Sequence, residues 1–181
     1  MRIHSTTLTK IAKEKGASVE TLAQAVERTG MKGSRAVSAV KNWMKGTDHP
    51  RCKAGDIAKL AQALGVETPK IAKFECILKY HKGSPRKAKL LTDLVKGKNV
   101  DTAINLLTFT TKRAAVDVKK ALNSAIADAE QVNADVTALV VAESRVDEGP
   151  TLKRFHQKDR GRAHSIFKRM THITIALAEK A

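Results

Sequence analysis

The stretch that decides the fold of the C-terminal half runs from Val146 to Phe155 and reads VDEGPTLKRF. Between Gly149 and Met170 the chain has seven Lys or Arg residues and one acid, Asp159, so this segment has a net charge of +6. Strand-forming residues flank the basic middle, which predicts a long β-hairpin at about residues 138–178 with its tip at about 155–161. Few apolar residues are available to pack such a ribbon, and an isolated hairpin is marginally stable in water. We therefore expect the ribbon to gain its order from a polyanion.

The composition of the whole chain agrees with a polyanionic partner. The 181 residues carry a formal net charge of +16 and the pI is about 10.1, which indicates binding to nucleic acid or to an anionic membrane surface. No apolar run approaches the roughly 18 residues of a membrane span, and the N-terminus does not open a signal peptide, so we expect a cytoplasmic protein. Cys52 and Cys76 lack the Cys-x-x-Cys spacing of a zinc site, and we expect both to be small buried hydrophobic residues. The sequence predicts neither a metal nor a cofactor.

The first half of the chain reads as four short helices. Their apolar stripes are Leu8/Ile11, Leu22/Val26, Val37/Val40/Trp43 and Ile57/Leu60/Leu64. Ser18 is a suitable N-cap for the second helix, and glycines end the helices. Pro69 then indicates a break in the chain. We therefore predict a small all-α domain at residues 1–68, a linker at 69–73 and a second domain at 74–181.

Several strings in the first half resemble a repressor-type (Cro-like) helix-turn-helix domain. They are GASVETLAQAV (Gly16–Val26), the spacing Trp43-x-x-Gly46-x-x-x-Pro50, and IAKLAQALGV (Ile57–Val66). The segment from Glu27 to Arg35 is longer than the usual turn of that family. The resemblance implies that the polar side of the third helix meets nucleic acid. The candidate contact residues are Lys32, Arg35, Ser38 and Lys41.

The second half of the chain has a different pattern of apolar and polar residues. Phe74, Cys76, Leu78 and Tyr80 alternate with polar residues, which predicts a half-buried strand. Ser84-Pro85 suits the start of a helix, because serine can cap it and proline fits the first helical position. That helix stops at Gly97, a short helix follows at about 100–107, and a long one at about 112–130. With strands at about 137–146 and 168–178, the pattern predicts an α+β domain with three helices on a small antiparallel sheet.

Three strings in this half occur in an informative order: SPRKAKLLTDLVKGK (Ser84–Lys98), LNSAIADAE (Leu122–Glu130) and VDEGPTLKRF (Val146–Phe155), followed by Gly161–Arg162–Ala163 and Thr171–His172–Ile173–Thr174. They resemble the signature segments of the large-subunit ribosomal protein L22 family, and the resemblance covers about residues 74–180. It implies a body that binds large-subunit (23S-type) rRNA and a hairpin whose tip lines the nascent-peptide exit tunnel. The ten or so residues from Val146 to His156 let each arm reach roughly 35 Å at ~3.3 Å per residue.

The resemblance also implies the partners and the binding residues. The partners are large-subunit rRNA, neighbouring large-subunit proteins and the nascent peptide, with one copy per bacterial-type ribosome and no homo-oligomer. Phosphate contacts position a protein on its RNA and are made chiefly by cations and hydroxyls. The implied rRNA-binding residues are Lys82, Ser84, Arg86, Lys87, Lys89, Lys98, Lys112, Arg113, Lys153, Arg154, His156, Lys158, Arg160, Arg162, Lys168, Arg169 and His172. The implied tunnel tip is Phe155, His156, Gln157, Lys158, Asp159, Arg160 and Gly161, and it departs from the family at Gln157–Lys158–Asp159.

Two other functions compete with this interpretation. An enzyme is disfavoured, because the chain has no Gly-x-x-x-x-Gly-Lys, His-Glu-x-x-His or Gly-x-Ser-x-Gly motif and its six histidines are scattered. A DNA-binding transcriptional regulator is suggested by the N-terminal half alone. The same polar residues would serve equally well to hold ribosomal RNA, and the N-terminal half is also compatible with a merely packed extension.

Overall fold

The computed structural model of this chain describes residues 1–180, and these divide into two compact units. One unit comprises residues 1–74 and 128–135 together with the C-terminal residues from Ala178. The other comprises residues 75–127 and 136–177.

The first unit is built from short helices and one short strand. Its elements are β1 (Arg2–Ile3), α1 (Ser5–Glu14), α2 (Val19–Ala25), α3 (Ser34–Met44), α4 (Ala54–Leu64) and α5 (Thr68–Ile71). Ser18 caps α2 as predicted, since its hydroxyl accepts from the Thr21 N–H at 3.2 Å. Gly65 ends α4 with a φ of 59°, a left-handed conformation that glycine adopts without strain. The buried core residues from the predicted stripes are Leu8, Leu22, Val26, Val40, Trp43, Ile57, Leu60 and Leu64.

Two features of this unit differ from the sequence prediction. Residues 1–68 are not wholly helical, because Arg2 and Ile3 pair antiparallel with Lys73 and Ala72. Residues 69–73, predicted as a linker, form the end of α5 and the start of a strand, and Pro69 is buried. Proline is tolerated in the first helical turn, where its missing N–H costs nothing, so here it begins a helix. A two-residue strand is too short to show a periodic pattern.

The remaining elements form the predicted α+β body. They are β2 (Ala72–His81), α6 (Pro85–Val95), α7 (Val100–Phe109), α8 (Ala114–Glu130), a short 3-10 helix (Val136–Ala138), β3 (Leu139–Glu148) and β6 (Thr171–Glu179). The strand order is β1-β2-β6-β3, and α6 packs against both α7 and β3. The long helix predicted at about 112–130 is α8, and its apolar stripe is buried at Ala115, Val118, Leu122, Ala125 and Ala129, whereas Ile126 is half-buried. The α+β class with three helices beside a small sheet is confirmed.

The predicted hairpin consists of two parts. Beyond β3 and β6, the strands β4 (Leu152–Gln157) and β5 (Ala163–Lys168) form a separate two-stranded antiparallel sheet. Between the two parts the Gly149 N–H donates to the Met170 carbonyl oxygen at 2.8 Å. We call residues 149–170 the ribbon.

Candidate nucleic-acid interface

The ribbon presents its side chains to solvent. All residues from Lys153 to Arg169 are exposed. In the register of β4 and β5, Leu152 lies opposite Lys168, Lys153 opposite Phe167, and Arg154 opposite Ile166. Directly opposed side chains are the pairs that stabilise a sheet, and none of the six described pairs joins two large apolar side chains. The ribbon therefore has little packing of its own, and its cations are available to phosphates.

One face of the ribbon carries two exposed aromatic rings. Because side chains alternate between faces along a strand, Phe155 lies on the same face as Lys153 and its partner Phe167. The two rings are 80% and 54% exposed, respectively. Exposed aromatic rings among cations are suited to stacking on unpaired RNA bases. Phe167 was missed by the sequence prediction, and only the strand register reveals it.

The tip of the ribbon is a tight turn. The Arg162 N–H donates to the Asp159 carbonyl oxygen at 3.2 Å, and the Lys158 N–H donates to the Arg162 carbonyl oxygen at 2.8 Å. Arg160 and Gly161 both have positive φ, 55° and 72°, the combination that a type I′ hairpin turn requires at its two central positions. The backbone therefore places the predicted tip residues at the far end of the ribbon.

His172, one of the predicted rRNA-binding residues, makes contacts within the protein at the base of the ribbon. The Tyr80 N–H donates to Nδ1 of His172 at 3.1 Å, and the two rings meet edge to face with centroids 5.0 Å apart. His172 is half-buried. We conclude that this imidazole helps to fix the base of the ribbon, a role that its position in the sequence did not reveal.

A second basic region lies at the N-terminus of α6. Five predicted residues line a single pocket of about 610 Å³: Lys82, Ser84, Lys87, Lys112 and Arg113. Ser84 occupies the N-cap position of α6, but its hydroxyl makes no capping hydrogen bond. The positive end of a helix dipole and four cations are groups that attract an anion such as a phosphate. The structure thus brings together residues that are up to 31 positions apart in the sequence.

The wall of this pocket is anchored by a buried histidine. His81 is buried, and its Nδ1 lies 2.7 Å from Oδ2 of Asp117 on α8. This pair connects the end of β2 to α8 and fixes the backbone from which Lys82 projects. Sequence patterns did not indicate the pair, because its members are far apart along the chain.

The other predicted body residues lie outside the pocket lining. Arg86 and Lys89 are exposed on α6, and Lys98 is exposed between α6 and α7. At that turn the Gly97 N–H donates to the Val141 carbonyl oxygen at 3.0 Å. These cations extend the basic surface without sharing the pocket.

The first unit has a basic groove of its own. It measures about 610 Å³, and its lining includes the predicted residues Arg35 and Ser38 of α3. Lys32 and Lys41 are exposed but do not line it. Sequence reasoning missed the other polar lining residues, which include Arg28, Asn42 and Lys53.

Neither a membrane-spanning helix nor a metal-binding cluster is found among the described residues. Within residues 1–180, no helix is long and apolar enough to cross a membrane. No group of three or more His, Cys, Asp or Glu side chains in that range could hold a metal ion.

An α+β body with a basic pocket and a solvent-exposed basic ribbon is the arrangement expected of a protein that binds RNA. A family model described as ribosomal protein L22p/L17e matches residues 76–178, and the chain belongs to this family. The predicted family membership is thereby confirmed. The match leaves residues 1–75 outside, so the predicted helix-turn-helix resemblance remains a prediction.

Two bacterial relatives illustrate the similarity. The protein of Desulfosudis oleivorans named large ribosomal subunit protein uL22 is 50% identical over 103 residues, which cover 57% of this chain and 90% of the relative. The protein of the same name from Clostridium novyi is 49% identical over 106 residues, which cover 58% of this chain and 96% of the relative.

Proposed function

We propose that this chain is a structural constituent of the large ribosomal subunit that binds 23S-type rRNA and has no catalytic role. The observation that carries the proposal is the ribbon, in which every side chain from Lys153 to Arg169 is exposed and the net charge from Gly149 to Met170 is +6. A segment of this kind is marginally stable by itself, and surrounding phosphates would stabilise it. The names of the two relatives support the choice of the large subunit.

In this proposal the two basic regions have different tasks. The α6 pocket holds a phosphate of the rRNA against Lys87 and Arg113, and thereby orients the body. The ribbon inserts between RNA segments and carries the tip at Asp159–Arg162 to the wall of the nascent-peptide exit tunnel. Neighbouring large-subunit proteins and the nascent peptide are the further partners, with one copy in each cytoplasmic, bacterial-type ribosome.

The assignment is tested by sedimentation. A tagged full-length chain expressed in its source organism should remain with the large subunit through a high-salt wash, at one copy per particle. Recovery only in ribosome-free fractions, with intact subunits present, would falsify the assignment.

A photoreactive amino acid at position 159 should crosslink to a stalled nascent chain, whereas the same group at Asp101, exposed on α7, should not. Crosslinking from neither position would contradict the tunnel placement alone.

A further inference from the structure

The groove of the first unit lies in a segment as basic as the ribbon. Residues 28–53 contain seven Lys or Arg residues and one acid, Asp48, a net charge of +6. One wall of the groove is the polar side of α3, with Arg35, Ser38 and Asn42. A second wall is the segment that joins α3 to α4, with His49 and Lys53. The groove is therefore lined by cations from two different elements.

The second wall is held in place by hydrogen bonds from α3. The Asn42 Nδ2 amide donates to the His49 carbonyl oxygen at 2.8 Å. The indole Nε1 of the buried Trp43 donates to the Pro50 carbonyl oxygen at 2.6 Å. Because these bonds already exist in the free protein, a ligand does not have to order this wall when it binds.

The floor near α4 is fixed by an ion pair. Nη1 of Arg28 lies 2.9 Å from Oδ2 of Asp56, a carboxylate with a relative exposure of 6%. Nη2 of the same guanidinium donates to the Arg51 carbonyl oxygen at 3.3 Å. Asp56 also accepts from the Lys53 N–H at 3.0 Å, and Asp48 accepts from the Cys52 N–H at 2.8 Å. These acids are thus engaged by the scaffold, whereas the Arg35 and Lys53 side chains are exposed.

We propose that this groove binds a single-stranded or looped segment of RNA, with Arg35 and Lys53 on its phosphates and Ser38 and Asn42 on polar edges. The charge of the groove favours a polyanion as its ligand. The arrangement of α3 distinguishes between single-stranded and duplex nucleic acid. A helix that reads duplex DNA must enter the major groove, but here the polar side of α3 is bonded through Asn42 to the adjoining segment at His49. An extended strand fits between two walls, as in other single-strand sites that combine cations with a groove.

The chain has a built-in reporter for this site. Trp43 is its single tryptophan, and it contacts the groove wall through Pro50. The ribbon and the α6 pocket belong to the other unit, whose residues contribute nothing to the lining of this groove. Trp43 emission in the full-length protein therefore isolates binding at this groove from binding elsewhere.

The test titrates the full chain with a 12-nucleotide oligo-U RNA and, separately, with a 12-base-pair DNA duplex. We expect saturable change in Trp43 emission with the RNA and none with the duplex. The R35Q/K53Q double variant should weaken the RNA response at least tenfold and lower the salt dependence of log K by about 1.4, at about 0.7 per phosphate for single strands. The matched control K10Q/K13Q, which removes two exposed charges from α1, should behave like the wild type.

Three results would overturn the proposal. The first is an unchanged Trp43 signal with oligo-U. The second is a larger response to the duplex, which would favour the DNA-reading alternative. The third is equal weakening of RNA binding in the K10Q/K13Q control, which would show that the effect depends only on net charge. None of these bears on assembly into the subunit, which sedimentation of the same variants measures independently.

Discussion

The backbone of Gly149 approaches that of Met170 so closely that a Cβ atom on Gly149 would crowd the Met170 carbonyl group. The N–H to carbonyl distance is 2.8 Å, and a Cβ on Gly149 would lie 3.0 Å from the Met170 oxygen. Real Cβ contacts are rarely this short. This contact is where the body sheet ends and the ribbon begins, so it sets the direction in which the ribbon leaves the body.

Substitution of Gly149 by valine is expected to disturb this junction. The added atoms must displace Met170 or the His172 ring, which lies 3.3 Å from the same Cβ position. Overpacking of this kind costs about 1–3 kcal/mol, and urea unfolding should show it as a lower midpoint. Gly55→Ala is the matched control, because a Cβ there meets nothing within 4 Å and its φ is not positive. An unchanged midpoint in Gly149→Val would show that the junction is not tightly constrained.

The free protein should combine a protected body with an unprotected ribbon. Backbone amides of β4 and β5 should exchange hydrogen rapidly and those of α8 slowly, because α8 has a buried apolar stripe and the ribbon does not. Hydrogen exchange measured by mass spectrometry checks this. Lys168→Val, which places an apolar residue opposite Leu152, should raise ribbon protection, whereas Lys158→Val in the turn should not. Equal protection in the ribbon and α8 would contradict the expectation.

The elements were predictable from sequence where a local signal determined them. Ser18, Gly65 and the α8 stripe are such signals, and the ordered strings from Ser84 to Thr174 identified the body. Pro69 led to the wrong prediction of a linker, because proline can either end a helix or begin one. The burial of Ile71 and Ala72 shows that Pro69 here lies in a packed helical turn. Contacts between distant residues, such as His81 with Asp117 and Tyr80 with His172, leave no periodic pattern. In the groove of the first unit, Arg35 and Ser38 were predicted from the sequence. His49 and Lys53 were not, because they lie in the loop that joins α3 to α4.

Removing charge from the α6 pocket should weaken rRNA binding. The K87Q/R113Q double variant is expected to lower the salt dependence of log K by about 1.4–1.8, at roughly 0.7–0.9 for each lost phosphate contact. Filter binding to a large-subunit rRNA transcript across a salt series measures this slope. K10Q/K13Q again removes two exposed charges elsewhere and should leave the slope unchanged. An identical drop in both variants would mean that the pocket holds no particular phosphate.

The thiol of Cys52 should be unreactive in the folded protein. Its pKa is raised to about 12, chiefly by burial and in smaller part by the Asp56 and Asp48 carboxylates, while Arg28 opposes the shift. The thiolate is the reactive form, so at pH 8 a disulfide reagent should modify the half-buried Cys76 first. The pKa of the Cys52 thiol is higher in the folded protein than in the unfolded chain. The free energy of unfolding should therefore decrease as the pH rises from the ordinary thiol range towards 12. Cys52→Ser should flatten this loss, and faster labelling of Cys52 than of Cys76 would contradict the burial.

Deletion of the N-terminal segment should leave a chain that still assembles. The family match begins at residue 76, and the aligned region takes in 96% of the Clostridium novyi relative, so that protein has no segment of comparable length before it. A chain that starts at Pro69 would retain Ile71 and Phe74, which are fully buried in the first unit, after most of that unit is gone. Each large apolar side chain left in water costs roughly 1.5–3 kcal/mol.

We therefore expect two deletion variants to differ in yield but not in assembly. The chain that starts at Pro69 should aggregate more than the chain that starts at Cys76, because only the longer one exposes Ile71 and Phe74. Ala129 and Ala178 belong to the same unit as the deleted residues, but a methyl group contributes little burial, so helical circular dichroism should persist with a lower melting temperature. Both variants should enter the large subunit on a sucrose gradient. If neither enters while the full-length chain does, the N-terminal segment belongs to the folded body rather than to a separable domain.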